Sequence, residues 1–216
     1  MKFYLSSMGI GNKGKELFNL INNNSDNGNN ENDKINNKIA YIPNACDFSN
    51  VNLERRKITE SYDIKELEKL NLKVEYLDLK KHFNKTDELR KKLKEFKGVF
   101  VRGGNTFILR QAMKLSGFDI IFNELLKTNF VYAGYSAGIC VLSKDLKTLQ
   151  IVDDPYDMPY ENKEIIWEGL GYLDYMIFPH YKSEHPESKD IDKEIEKCIK
   201  NNIPFKTLSD GDVIII

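Results

Sequence analysis

Val131-Tyr132-Ala133-Gly134-Tyr135-Ser136-Ala137-Gly138 is the stretch of this chain on which its architecture turns. A short apolar strand pattern runs without a linker into Gly-x-Ser-x-Gly, the sequence of a sharp strand-to-helix turn. Small residues on either side of Ser136 let the backbone fold tightly and present the hydroxyl above a sheet edge. Amides that follow at a helix start can stabilise negative charge. Random placement of this chain's glycines and serines would give roughly 0.04 such motifs. A phosphate loop would need further glycines or a lysine ahead of the helix, and neither is present. Ser136 is therefore expected to be a nucleophile.

On both sides of this stretch, apolar strand patterns alternate with helical ones. Strands are predicted over 3–5, 39–43, 74–77, 98–101, 130–133, 175–178 and 212–216. Helices are predicted over 13–21, 52–70, 87–96, 107–114, 120–127 and 189–201. Short apolar strands separated by helices predict βαβ units, hence an α/β fold with a mostly parallel sheet covered by helices on both faces. With 216 residues, 41% of them hydrophobic, one domain over 1–216 is expected. One segment interrupts the alternation: residues 22–37 carry nine asparagines in sixteen positions. So little apolar surface cannot offset the entropy of ordering, and a mobile surface loop insertion is expected there.

Charge and cysteine content exclude several classes. Thirty-two Lys and Arg against 33 Asp and Glu leave a net charge of −1, which lacks the electrostatic footprint of a nucleic-acid or anionic-membrane binder. No apolar run approaches the ~20 residues of a membrane helix, and Met1-Lys2-Phe3-Tyr4-Leu5 does not resemble a signal peptide. Cys46, Cys140 and Cys198 are scattered, with no Cys-x-x-Cys. A cytoplasmic protein without a disulfide framework, metal or cofactor is expected.

A serine nucleophile needs an oxyanion site, a base and an orienting acid. Arg102-Gly103-Gly104-Asn105-Thr106 follows a predicted strand, where functional loops of parallel sheets gather. Its paired glycines allow close approach of backbone to substrate. The N–H groups of Gly104 and Ala137 are expected to form the oxyanion hole, with Gly103 and Asn105 at the substrate. Of the three histidines, His180 directly follows the strand Met176-Ile177-Phe178 and is the expected base. His185 lies five residues on and is the fallback, while His82 sits in a lysine-rich stretch. The acid is sought between serine and histidine, in the Asp153-Asp154-Pro155 and Asp157-Met158-Pro159 turns.

Gly103-Gly104-Asn105-Thr106, Gly134-Tyr135-Ser136-Ala137-Gly138 and Phe178-Pro179-His180-Tyr181 together resemble, in order and spacing, the dipeptidase E (aspartyl dipeptidase) and cyanophycinase family of serine peptidases. The resemblance implies a flavodoxin-like, class I glutamine amidotransferase-like three-layer fold and hydrolysis of dipeptides or short peptides through an acyl-enzyme. It implies Ser136 as nucleophile, His180 as base, and Gly104 and Ala137 at the oxyanion. The family's acid falls on Asp154, with Asp153 and Asp157 as alternatives. The family's arginine-bearing segment after the histidine corresponds to Glu187-Ser188-Lys189-Asp190. Lys189 is thus the substrate-binding cation implied there, and it lacks arginine's bidentate fork. An α/β-hydrolase esterase shares the Ser, acid, His order, but no His-Gly-Gly loop precedes Ser136 and only 80 residues follow it. A non-catalytic sensor on the same scaffold is the remaining alternative. Composition is compatible with either a monomer or a homodimer.

Overall fold

The computed structural model describes residues 1–22, 37–160 and 164–216. The expected asparagine-rich loop therefore lies, apart from its two end residues, outside the described residues. The elements follow in the order β1 (Lys2–Ser6), α1 (Gly14–Asn22), β2 (Lys38–Ile42), α2 (Leu53–Lys69), β3 (Lys73–Tyr76), α3 (Thr86–Leu93), β4 (Gly98–Val101), α4 (Thr106–Ser116), α5 (Phe118–Leu125), β5 (Val131–Tyr135), α6 (Ala137–Cys140), β6 (Met176–Phe178), α7 (Ser188–Lys200), β7 (Phe205–Thr207) and β8 (Val213–Ile215).

Six strands form the central sheet in the order β3-β2-β4-β5-β1-β8. All neighbours pair in parallel except β8, which runs antiparallel to β1. Strand side chains alternate between two cores. Phe3, Leu5, Val99, Val101 and Tyr132 pack with residues of α3, α4, α5 and α7. Tyr4, Phe100, Val131, Ala133 and Tyr135 pack with α1 and α2 on the opposite face. Three layers result, and strands buried on both sides explain the unbroken apolar runs of the sequence. This is the expected flavodoxin-like architecture.

Helix ends are set locally. Asn105 caps α4, its Oδ1 accepting from the N–H groups of Phe107 and Ile108 at 2.8 and 3.1 Å. Gly117, with φ 74°, ends α4 and turns the chain into α5, where a Cβ would strike Thr86.

The histidine strand β6 lies outside the main sheet and pairs in parallel with β7, Met176 opposite Phe205 and Phe178 opposite Thr207. β7 carries Lys206 at its centre and presents no apolar run, so it leaves no strand signal in the sequence.

Candidate active site

β1, β4 and β5 are adjacent, so Ser6-Ser7, Arg102-Gly103-Gly104 and Ser136 leave the same edge of the sheet side by side. Ser136 sits at the turn from β5 to α6 with φ 49° and ψ −121°, a conformation L residues rarely hold. Its neighbours must be glycine for a visible reason. A Cβ on Gly138 would lie 2.3 Å from the Val101 carbonyl oxygen, and one on Gly134 2.9 Å from the same atom. The end of β4 thus presses against both sides of the serine turn.

The Gly103-Gly104 loop is wedged just as tightly. A Cβ on Gly103 would lie 2.8 Å from Ser136 Cβ and from the Tyr135 ring. Gly104 has φ 147°, and a Cβ there would meet the Ala45 carbonyl oxygen at 2.4 Å. Among the described residues, neither the Gly104 nor the Ala137 N–H donates a backbone hydrogen bond. Asn105 is placed mainly for structure. Besides capping α4, its Nδ2 donates to the Asp154 carbonyl at 2.8 Å.

His180 follows β6 with φ 60° and is 1% exposed. Its Nδ1 lies 2.7 Å from Asp210 Oδ1, on the turn after β7. Its backbone N–H donates to Ser7 Oγ at 2.8 Å, and that hydroxyl lies 3.0 Å from the same Asp210 oxygen. A proton on Nδ1 facing Asp210 leaves Nε2 as the basic nitrogen. The His185 ring stacks on His180, 3.8 Å between centroids and 11° between planes. Burial and the neighbouring His180 push the His185 pKa down. Among the described residues, no hydrogen bond joins Ser136 to His180.

None of the three acids expected from the sequence is on His180. Asp154 is exposed, and its Oδ1 accepts from Tyr156 N–H at 2.9 Å. Asp157 accepts from Ser49 N–H and Oγ at 3.1 and 2.5 Å. Asp153 Oδ2 accepts from Thr106 N–H at 2.9 Å, at the start of α4, and burial pushes its pKa up to about 6. The physical reason is topological: pairing of β6 with β7 carries the 208–211 turn onto the histidine loop, through Tyr181 N–H to Leu208 O at 3.0 Å and Asp210 N–H to Ser183 Oγ at 2.8 Å. The signal that could have found Asp210 is Ser209-Asp210-Gly211-Asp212, an acidic turn between two strands downstream of His180.

Sequence reasoning also missed two carboxyls beside Ser136. Ser136, Cys140, Asp153, Glu187 and Glu194 line a crevice of about 20 Å³. Glu187 is pushed up to about 7 by burial and by Asp153, and Glu194 to about 8, chiefly by burial. Val152 N–H donates to Glu194 Oε1 at 3.3 Å. The heptad spacing of Glu187, Ile191, Glu194 and Cys198 was the available clue to this inner face of α7. Lys189 lies in the first turn of that helix.

His180, His185 and Glu187 place donor atoms within 4.8 Å of one another. The His180 ring stacks on His185, and its Nδ1 faces Asp210. No helix among the described residues is long and apolar enough to cross a membrane.

Known proteins resemble this chain in sequence and in fold. The model of peptidase family S51 matches residues 10–216. An uncharacterized peptidase of Listeria innocua is 30% identical over 145 residues, 67% of this chain and 58% of its own length. One from Listeria monocytogenes is 31% identical over 177 residues, 79% of this chain and 69% of its own. The chain thus spans less than two thirds of the first of these relatives. A crystal structure of a Listeria monocytogenes protein assigned as peptidase E superposes with a TM-score of 0.73 at 25% identity, covering all of this chain and 93% of that one. On its sequence from residue 10 to residue 216, this chain belongs to peptidase family S51.

Proposed function

We propose that the chain is a serine peptidase that hydrolyses dipeptides or short peptides through an acyl-enzyme. The observation that carries it is the Ser136 turn, at φ 49° and ψ −121° and packed against Gly103. Such strain persists only where the surroundings over-determine it, and it clusters at reacting groups. In this mechanism Ser136 Oγ attacks the scissile carbonyl while its proton passes to His180 Nε2. The N–H groups of Gly104 and Ala137 hold the resulting oxyanion. Asp210 keeps His180 in the tautomer that accepts this proton and stabilises the imidazolium. Collapse of the tetrahedral intermediate breaks the C–N bond, and His180 passes the proton to the leaving amine. Water, deprotonated by the same nitrogen, then releases the acyl group from Ser136.

Family S51 membership and the peptidase E assignment of the structural neighbour support a peptide substrate. The test is labelling with a fluorophosphonate probe and mapping of the modified residue, alongside hydrolysis of a dipeptide panel. Modification of Ser136, and loss of hydrolysis on the order of 10⁶-fold in Ser136→Ala, are expected. A folded Ser136→Ala enzyme with most of its activity would overturn the mechanism.

A further inference from the structure

The loop between β6 and α7 doubles back on itself under strain. His180 and Lys182 both hold positive φ, 60° and 51°, a region uncommon for residues other than glycine. Such a conformation persists only where the surroundings over-determine it. Ser183 N–H closes one turn on the His180 carbonyl at 3.2 Å, and Ser188 N–H closes the next on the His185 carbonyl at 3.1 Å. These turns lay the His185 ring flat on His180, with 3.8 Å between centroids and 11° between planes. Flat stacking engages the faces of the rings and leaves their edges alone. His180 Nδ1 keeps its Asp210 contact at 2.7 Å.

A backbone group sets the state of the upper ring. Glu187 N–H donates to His185 Nδ1 at 3.4 Å, so that nitrogen carries a lone pair and the ring is neutral. The titratable groups that face His185 are His180, Asp210 and Glu187, whose Oε2 lies 3.8 Å from Nδ1. Burial and His180 push the His185 pKa down, against the pull of Asp210, which keeps the ring neutral at pH 7. A neutral aromatic face stabilises a cation laid against it, and more so away from water. His180 is 1% exposed, so water contributes little to stabilising its imidazolium. A protonated ring at the place of His185 would have the opposite effect.

We propose that His185 is a positioning residue for the base. Its neutral ring holds the His180 imidazole with one edge on Asp210, and it steadies the imidazolium once the proton has arrived. The kinetic role rests on the serine peptidase reading; the stack and its effect on the His180 charge do not.

The test compares His185→Phe, His185→Leu and His185→Ala in two measurements. In dipeptide hydrolysis, His185→Ala is expected to lose about tenfold in kcat, with KM within about twofold of the unaltered chain. His185→Phe keeps a flat face without any nitrogen and should restore kcat to within a few-fold. His185→Leu covers His180 without an aromatic face and should restore much less. The second measurement is an NMR titration of the His180 ring in Ser136→Ala combined with His185→Phe or with His185→Leu. Both side chains keep water off His180, but only the aromatic one stabilises its charge. His180 should therefore titrate about half a unit or more higher with His185→Phe, about threefold in proton affinity. Equal titration in the two overturns the proposal, as does an undiminished kcat in His185→Ala. A kcat in His185→Phe as low as in His185→Ala also overturns it, because the imidazole nitrogens would then be what the reaction needs. A chain that hydrolyses no dipeptide but shows the titration difference keeps the stack and refutes the peptidase reading alone.

Discussion

His180 Nδ1 and Asp210 Oδ1 stand 2.7 Å apart because two three-residue strands, Met176–Phe178 and Phe205–Thr207, pair in parallel and bring their following loops together. Ser7, at the end of β1, bridges them: it accepts from the His180 N–H, and its hydroxyl lies 3.0 Å from the Asp210 carboxylate. Three segments distant in sequence therefore fix one imidazole.

Asp210→Asn is expected to lower kcat on the order of 10⁴-fold while leaving the fold intact, since an amide at this place permits the wrong histidine tautomer. Asp154→Asn is expected to leave kcat within about twofold, because that carboxylate only caps the Tyr156 turn. Steady-state kinetics on both variants decide the matter. An inactive Asp154→Asn beside an active Asp210→Asn would return the orienting role to the 153–157 loop.

Ser136 and His180 are legible in the sequence because their signals are local. Each follows an apolar strand, and Gly134 and Gly138 announce the tight turn before any tertiary contact is known. Asp210 is not legible in the same way. Its role depends on the pairing of β6 with β7, and Phe205-Lys206-Thr207 has neither an apolar run nor alternation that would mark it as a strand. The expected acid order, with the acid between serine and histidine, also directed attention to turns whose carboxylates are occupied by Thr106, Tyr156 and Ser49. Glu187 and Glu194 were hidden for a different reason: a carboxyl on a charged helix reads as solvated until the helix is docked.

The strain at Ser136 predicts a trade between stability and activity. Glycine adopts φ 49° and ψ −121° without the Cβ conflict that serine carries. Ser136→Gly should therefore unfold at a higher temperature than Ser136→Ala, by the equivalent of about 1 kcal/mol or about 2–4 °C for a chain of this size, while both lack activity. Differential scanning calorimetry at one pH makes the comparison. Equal melting temperatures would mean that the turn is not strained.

Glu194 on the inner face of α7 and the half-buried Glu187 that caps it predict stability that falls with rising pH. Glu194 is raised from its ordinary value to about 8, and Glu187 to about 7. Between the unfolded carboxyl range and these values, the folded chain holds protons that the unfolded chain has released. By linkage, their contribution is complete below the unfolded pKa and is lost progressively as pH rises from about 4.5 to about 8. Glu194→Gln removes one of these protons from the balance while keeping an oxygen for Val152 N–H. Its melting temperature should change little near pH 5, exceed that of the unaltered chain at pH 8.5, and decline less in between. A parallel decline in the two proteins would place Glu194 in water instead.

Substrate choice follows from the same carboxyls. Aspartyl dipeptidases, which this chain resembles in its motifs, need a cation opposite the substrate's acidic side chain. Here the helix after His180 presents Glu187 and Glu194 beside Ser136, with Asp153 completing the crevice. Lys189 is the one basic residue in the first turn of that helix, and lysine lacks the fork that selects a carboxylate geometrically. Asp-Leu is therefore expected to be a poorer substrate than Asn-Leu or Ala-Leu, by about tenfold at pH 8.5, the equivalent of one unfavourable charge contact. The gap should narrow at pH 6, where Glu187 and Glu194 are largely protonated. Glu194→Gln should narrow it at pH 8.5 as well, without changing the rate for Ala-Leu by more than a few-fold. The measurement is kcat/KM for the three dipeptides at both pH values. A preference for Asp-Leu above a thousandfold would show that a cation does face the substrate side chain. If Lys189→Met then abolished that preference, Lys189 would be that cation despite the acidic crevice around Ser136.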